Sequence, residues 1–212
     1  VKTLLRSFLL TAAVASIGTA ASAQGFFIEG AGGYQDLTRA KDSAKAVFDG
    51  SSGGFTFGGG AGFDFGNGLF VSGWFRSFSK DGERVFVESP GGPVFPLGHP
   101  LTLKLRPIQG TIGYRFAHGK SISPYLGIGG GVTKVEETST VGGLEESSSE
   151  SKGSFHALAG VELGGGSVSV GAEVMYLSIP DSAGLGGVSA VYGEDDLGGF
   201  SAVAKLRFRF GH

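Results

Sequence analysis

Three observations predict an all-β fold, an eight-stranded antiparallel up-and-down transmembrane β-barrel. The chain ends on a run of strict two-residue alternation, that alternation recurs in segments along the chain, and the connections between the segments alternate short and long. In the final run, residues 200–210, Phe200, Ala202, Ala204, Leu206, Phe208 and Phe210 share one parity. Ser201, Lys205, Arg207 and Arg209 lie on the other, with Val203. Alternate residues of a strand point to opposite faces, so one face is apolar and the other carries cations. A closed barrel with lipid outside and polar groups inside accommodates both faces.

Residues 1–23 read as a secretory signal peptide. Lys2 and Arg6 form a basic start, an apolar run extends from Phe8 to Ile17, and Ala21-Ser22-Ala23 is a small-residue cleavage pattern, so cleavage is expected before Gln24. The run is too short for a membrane-spanning helix; a retained N-terminal anchor is the alternative. Val1 in place of Met suggests a GTG start codon read literally and favours a bacterial origin. Residues 24–212 are expected to form one domain, the barrel. No later stretch approaches ~20 consecutive apolar residues, so the exported chain is either soluble or crosses the membrane as strands. Cysteine is absent, which excludes a disulfide scaffold and thiolate chemistry. The formal net charge of −2 lacks the basic footprint of a nucleic-acid binder. The 41 glycines have no collagen-like period and suit tight curvature and close backbone approach.

The first strand is expected at about Phe26–Leu37, with Phe26, Ile28 and Tyr34 on the apolar parity and Glu29 and Gln35 on the polar one. The second, Gly53–Phe65, sets Phe55, Phe57, Ala61, Phe63 and Phe65 against Thr56, glycines and Asp64. Gly66-Asn67-Gly68 then signals a tight turn. The third, Leu69–Ser79, offers Leu69, Val71 and Phe75 outward, but Phe70 and Trp74 share the other parity with Arg76, so its faces are ambiguous. In the fourth, about Leu101–Phe116, the apolar parity changes at Pro107, from Leu101, Leu103 and Leu105 to Ile108, Ile112, Tyr114 and Phe116. Proline with a parity switch predicts a β-bulge. The fifth, Tyr125–Val135, is glycine-rich and places Leu126, Ile128 and Val132 toward lipid. The sixth, Ser154–Gly164, and the seventh, Ser167–Ile179, carry Phe155 to Leu163 and Val168 to Tyr176 on their apolar parities. The eighth is the terminal run.

Short connections are expected at Gly66–Gly68, Ala117–Ser123 and Gly164–Gly166, and long ones at Thr38–Ser52, Lys80–Pro100, Glu136–Lys152 and Pro180–Leu197. Short turns on the periplasmic side and long loops outside form the outer-membrane pattern. An even strand count leaves both termini on the periplasmic side. Glu136–Lys152, serine-rich and acidic, reads as a mobile loop, and Thr38–Phe48 as the site of a short helical turn.

From about Ser123 the chain resembles the small eight-stranded outer-membrane barrels, the OmpA/OmpX/OmpW-like group. The residues that carry the likeness are Pro-Tyr-Leu-Gly-Ile-Gly-Gly-Gly-Val at 124–132, Phe-His-Ala-Leu-Ala-Gly-Val-Glu-Leu at 155–163, Ala-Glu-Val-Met-Tyr-Leu at 172–177 and the aromatic-rich terminus. The resemblance implies residence in the bacterial outer membrane among lipid and lipopolysaccharide. It also implies roles in envelope integrity, adhesion or surface contact, with a host or surface ligand at the loops. Leu206, Phe208 and Phe210 resemble the recognition tag read by the barrel-assembly machinery, although Gly211-His212 follow where relatives end on an aromatic residue. No periplasmic domain is expected after the last strand, so peptidoglycan binding of the kind seen in longer relatives is not implied.

The lumen parity collects Glu29, Asp64, Arg115, Glu162, Glu173, Lys205, Arg207 and Arg209. Antiparallel pairing is expected to bring Arg207 near Glu29 and Lys205 near Glu173. An eight-stranded bore is just wide enough for side chains to fill it, so the expected role of these charges is a hydrogen-bonded plug rather than a conduction path. Tyr34, Phe78, Tyr114, Tyr125 and Tyr176, near strand ends, are expected to form aromatic girdles. A narrow channel for small or hydrophobic solutes is one alternative, favoured by a wall gap near Pro107. A lipid A-modifying enzyme is another, built from Ser154, His156 and Glu173 on one parity. The leading reading is non-enzymatic, with no cofactor. The histidines, including His99 and His118 in connections, lack zinc-ligand spacing. The glycines at 127–131 lack the Lys-Ser/Thr of a phosphate loop, and the acidic Glu194-Asp195-Asp196 lacks calcium-loop spacing, so no metal is expected.

Overall fold

A computed structural model describes residues 24–117, 120–164, 166–182 and 184–211. The segment read as a signal peptide, with His118 and His212, lies outside the described residues. The strands are β1 (Gln24–Asp36), β2 (Gly53–Phe65), β3 (Leu69–Val87), β4 (Val94–Arg115), β5 (Ile122–Val141), β6 (Leu144–Leu163), β7 (Val168–Ser178) and β8 (Gly199–Phe210). All neighbouring pairs are antiparallel, and β8 pairs with β1 to close the ring. The wall of Phe26, Phe55, Ile112, Ile128, Val170 and Phe208 is exposed on the outer surface, as a lipid-facing belt requires.

The two connections expected as long loops around the middle of the chain are instead strand. β3 and β4 continue past the belt to Val87↔Val94, and β5 and β6 to Val141↔Leu144. The serine and glutamate content of Glu136–Lys152 suggested mobility, but period-two pairing there runs unbroken from the belt. Gly142 and Gly143, at φ 59° and 82°, close it. A two-residue turn with both φ values positive matches the twist of a hairpin and selects glycine. The barrel therefore carries a four-stranded wall on one side of its outer mouth.

The β-bulge expected at Pro107 is absent. Pairing of β4 with β5 runs unbroken through Pro107↔Thr133. Pairing with β3 passes from Phe75↔Ile108 to Phe78↔Leu105 without a slip. Proline withholds one ladder donor but does not shift the register; the shift lies instead between Glu83 and Val85. The parity change in the sequence has another cause. Leu101, Leu103 and Leu105 point inward and are fully buried, whereas Ile108 and Ile112 point to lipid. The strand keeps one phase while the apolar side moves from outside to inside.

Those inward leucines belong to an apolar cap over the outer end of the bore. The first long loop contributes helix α1 (Lys41–Val47), where a helical turn was expected, with Leu37, Ala44 and Phe48 buried. The last loop contributes a 3-10 turn (Leu185–Gly187) and helix α2 (Val188–Tyr192), which packs on α1. Ala40 cannot cap α1 with a side chain, so Glu194 of the last loop does so. Its carboxylate accepts the amides of Asp42 and Ser43 at 3.0 and 2.9 Å, satisfying N–H groups a helix start leaves without partners. Asp196 accepts the amides of Ile179 and Gly198 at 2.8 and 2.7 Å. Glu137 on β5 accepts those of Leu185 and Gly186.

Gly129 shows why β5 is rich in glycine. A methyl group there would collide with the Gly110 carbonyl of β4 and stand 2.6 Å from the His156 ring. Gly129→Ala is expected to destabilise the folded barrel by ~1–3 kcal/mol, the usual cost of overpacking, measured by urea unfolding with heat-modifiable gel mobility as the readout.

Candidate functional site

The inward side chains of the barrel form three layers beneath the apolar cap. Near the end of the bore that carries the short turns, Glu162 of β6 gathers cations from two directions. Its Oε2 lies 2.6 Å from Arg115 Nη1 and 2.8 Å from Arg207 Nη1, and its Oε1 accepts from Arg209 and, at 2.6 Å, from Ser169 Oγ. Asp64 lies 3.4 Å from Arg209 Nε and 3.5 Å from Arg115 Nη2. The middle layer is built across the seam where β1 meets β8. Register places Glu29 opposite Arg207, and the guanidinium donates to Glu29 Oε2 through Nη2 at 2.6 Å and Nε at 3.0 Å. Lys205 Nζ bridges Glu29 and Glu173 at 2.7 and 2.9 Å. All eight charged residues assigned to the lumen from the sequence thus meet inside the bore.

Two members of the middle layer were not assigned to it. Arg76 of β3 donates to Glu173 Oε1 at 2.5 Å and to Ser201 Oγ at 3.1 Å. The phase set by Val71 and Phe75 outward would have placed it inward, but Phe70 and Trp74 on the same parity hid it. Tyr125 was expected in a girdle; it is only 3% exposed, and its hydroxyl donates to Glu173 Oε2 at 3.0 Å. Phe78 was expected in the same girdle and is 1% exposed, inside the cap. Both are corrections with one cause: position near a strand end does not determine face, and each residue has the inward parity. Tyr34 and Tyr114 do face outward, at 52% and 47% exposure, and Tyr176 lies against Phe200 with ring centroids 5.0 Å apart. Aromatic faces also lie along the cations, with Arg207 4.1 Å from the Phe27 centroid and Arg76 4.8 Å from that of Trp74, a favourable contact with the ring quadrupole.

The upper layer is neutral. Trp74 Nε1 donates to Thr111 Oγ1 at 2.9 Å, and Thr111 lies 2.9 Å from His156 Nε2. His156 Nδ1 lies 3.1 Å from Gln109 Oε1, and Gln109 Nε2 donates to Ser154 Oγ at 2.5 Å. For a neutral imidazole one proton arrangement fits: Nδ1–H donates to the Gln109 carbonyl, and Nε2 accepts from the Thr111 hydroxyl. Both ring nitrogens of His156 are therefore engaged by Gln109 and Thr111. Ser154 bonds Gln109 and Thr133, and Glu173 bonds cations and Tyr125. A nucleophile needs its base within hydrogen-bond reach, and these three side chains do not assemble that way. His99, expected in a connection, lies within β4. Among the described residues no cluster of metal-ligating side chains occurs. A void of about 20 Å³ lies beside Glu29, Tyr125 and Lys205, on the scale of one water.

The sequence profile of the outer membrane protein β-barrel domain matches residues 7–208. No curated protein matches the chain in sequence. Among solved structures, the chain is similar to neisserial surface protein A, with 17% identity, a TM-score of 0.55, and coverage of 89% of this chain and 100% of the other. It is similar to a major outer membrane protein from Thermus thermophilus, with 12% identity, a TM-score of 0.57, and coverage of 89% and 100%. It is also similar to OprG from Pseudomonas aeruginosa, with 12% identity, a TM-score of 0.51, and coverage of 90% and 98%. At these identities the likeness is one of fold.

Removing one partner from a buried ion-pair network leaves uncompensated charge. Glu162→Gln leaves Arg115 and Arg209 to share Asp64 and Arg207 to Glu29 alone and is expected to cost ~3–5 kcal/mol, whereas Ser169→Ala, which removes one hydrogen bond to the same carboxylate, is expected to cost ~1–3 kcal/mol. Urea titration of the two folded variants side by side checks the ranking.

Proposed function

The chain belongs to the outer membrane protein β-barrel domain family, and from that premise we propose a non-enzymatic protein of the bacterial outer membrane that presents a rigid surface above a plugged bore. The observation that carries this reading is the stacking of two unlike barriers in one narrow tube. A paired-charge layer around Glu29, Glu162 and Glu173 fills the periplasmic half, and the apolar cap of Leu37, Leu103 and Leu185 lies over the outer end. An ion that passed the first would have to shed its hydration at the second.

What remains for function is the outer surface. The hairpins of β3–β4 and β5–β6 are paired to their tips, and the other two long loops are clasped to each other by Glu194, which accepts the Asp42 and Ser43 amides, and by Asp196, 3.5 Å from Arg39 Nε. A preorganised surface loses little freedom when it binds, which suits adhesion, surface contact or envelope integrity, with a host or surface ligand at the loops. Leu206, Phe208 and Phe210 line the outward face of β8, where the assembly machinery would read them. Export would remove residues 1–23. The engagement of His156 by Gln109 and Thr111 supports a structural role for it rather than a lipid-modifying one.

Purified protein in planar bilayers is expected to show no stable ohmic conductance; a steady, high conductance would replace this reading with the channel. Ser154→Ala and His156→Ala are each expected to leave lipid A unaltered in mass spectra of outer-membrane extracts, and a change in lipid A would favour the enzyme.

A further inference from the structure

On the outward faces of β4 and β5 the apolar belt stops at Ile108 and Val132, which sit opposite each other. The next outward pair is Arg106 and Lys134, again directly opposite, with side chains 40% and 47% exposed. One row farther, Lys104 faces Glu136. Two residues advance ~7 Å along a strand, or ~5 Å in height at the ~40° tilt of such barrels. That step leads from the hydrocarbon edge into the headgroup layer, which adds ~5–7 Å to each side of the core.

Like charges directly opposite in a ladder repel. Glu136 relieves this pair in part. Its Oε1 accepts from Lys134 Nζ at 2.8 Å, and its Oε2 lies 2.6 Å from Arg106 Nη1. The Glu136 carboxyl is held below its usual range by the Lys134 hydrogen bond first, and then by the charges of Arg106, Lys134 and Lys104. The three cations therefore converge on one spot that a single carboxylate serves. Lys104 has no hydrogen-bond or ion-pair partner for its ammonium among the described residues, and the Arg106 guanidinium donates no hydrogen bond there. Ser151 lies opposite Lys134 on the next strand and offers a hydroxyl at the same height. Farther from the belt the acids Asp81 and Glu83 return, bonded to Thr102 Oγ1 and the Gly98 amide, so the positive surplus is confined to two rows.

We propose that Lys104, Arg106 and Lys134 form a binding site for the phosphate of an outer-leaflet phosphoglycolipid. The planar guanidinium can engage two phosphate oxygens while the ammonium groups act as point charges, and acyl chains would lie along Ile108 and Val132 below. The site rests on the outer-membrane reading, because the belt fixes its height.

The mature chain, folded into phosphatidylcholine vesicles, tests it by heat-modifiable gel mobility as lipid A is added. Lipid A is expected to raise the unfolding temperature, and dephosphorylated lipid A or inorganic phosphate at the same concentration to leave it unchanged. In the double variant Arg106→Gln, Lys134→Gln, insertion into vesicles is expected to be normal and half-saturation to need about tenfold more lipid A, as suits the loss of two charge-assisted contacts. An equal response in the double variant, or to the dephosphorylated lipid, would overturn the site. An equal response to inorganic phosphate would overturn the lipid as its occupant. A folded wild type with no response at all would overturn the site alone, whereas a wild type that never enters vesicles would overturn the membrane reading beneath it.

Discussion

The constraint on which this structure depends is that an eight-stranded ring leaves no room for bulk water around the charges it encloses. Five cations (Arg76, Arg115, Lys205, Arg207 and Arg209) and four carboxylates (Glu29, Asp64, Glu162 and Glu173) share that space. Removing any one changes the charge balance of its neighbours, and none can be rotated outward into lipid. The contacts are accordingly multivalent, with Glu162 serving three arginines and Lys205 serving two carboxylates. Such a network does more to specify a single register than to add net stability, since the desolvation of buried ions offsets much of their attraction. A slip of one residue between β1 and β8 would exchange inside for outside along the whole seam.

The ring, its strand order and its belt were legible from the sequence because period-two alternation is a local signal that lipid amplifies. The eighth strand shows this: the parity of Phe200 through Phe210 predicts the face each residue takes. The upper half was not legible in the same way. There the barrel leaves the membrane and its inside turns apolar, so hydrophobicity no longer reports which face is out. Leu101, Leu103 and Leu105 carry the signature of a lipid-facing strand and are the floor of the cap instead. The serine- and glutamate-rich hairpin of β5 and β6 failed to announce itself for the opposite reason: its β6 arm is exposed on both faces from Leu144 to Ser151, and composition alone suggests a loop.

The interior was readable where opposite charges sit on registered strands, as with Glu29 and Arg207. It was unreadable where polar and aromatic residues share a parity. Arg76 lies beside Trp74 and Phe70, and only the assembled ring shows that the aromatic faces line the guanidinium groups rather than lipid. The acidic run at 194–196 lacks the spacing of a calcium loop and carries no other local signal. Glu194 instead terminates the Asp42 and Ser43 amides, 152 and 151 positions away, an arrangement that no spacing rule encodes, while Asp196 ties together the ends of its own loop through the Ile179 and Gly198 amides.

The seam has a kinetic consequence. Glu29 and Arg207 are 178 positions apart in sequence, so their bond spans nearly the whole polypeptide. Contacts of such long range are formed late, after the entropy of bringing the chain ends together has been met. Until then Glu29 on the leading strand lacks both of its cations, since Lys205 and Arg207 lie on the trailing one. Ring closure therefore completes the neutralisation of the interior, and that step also makes the interior compatible with the bilayer.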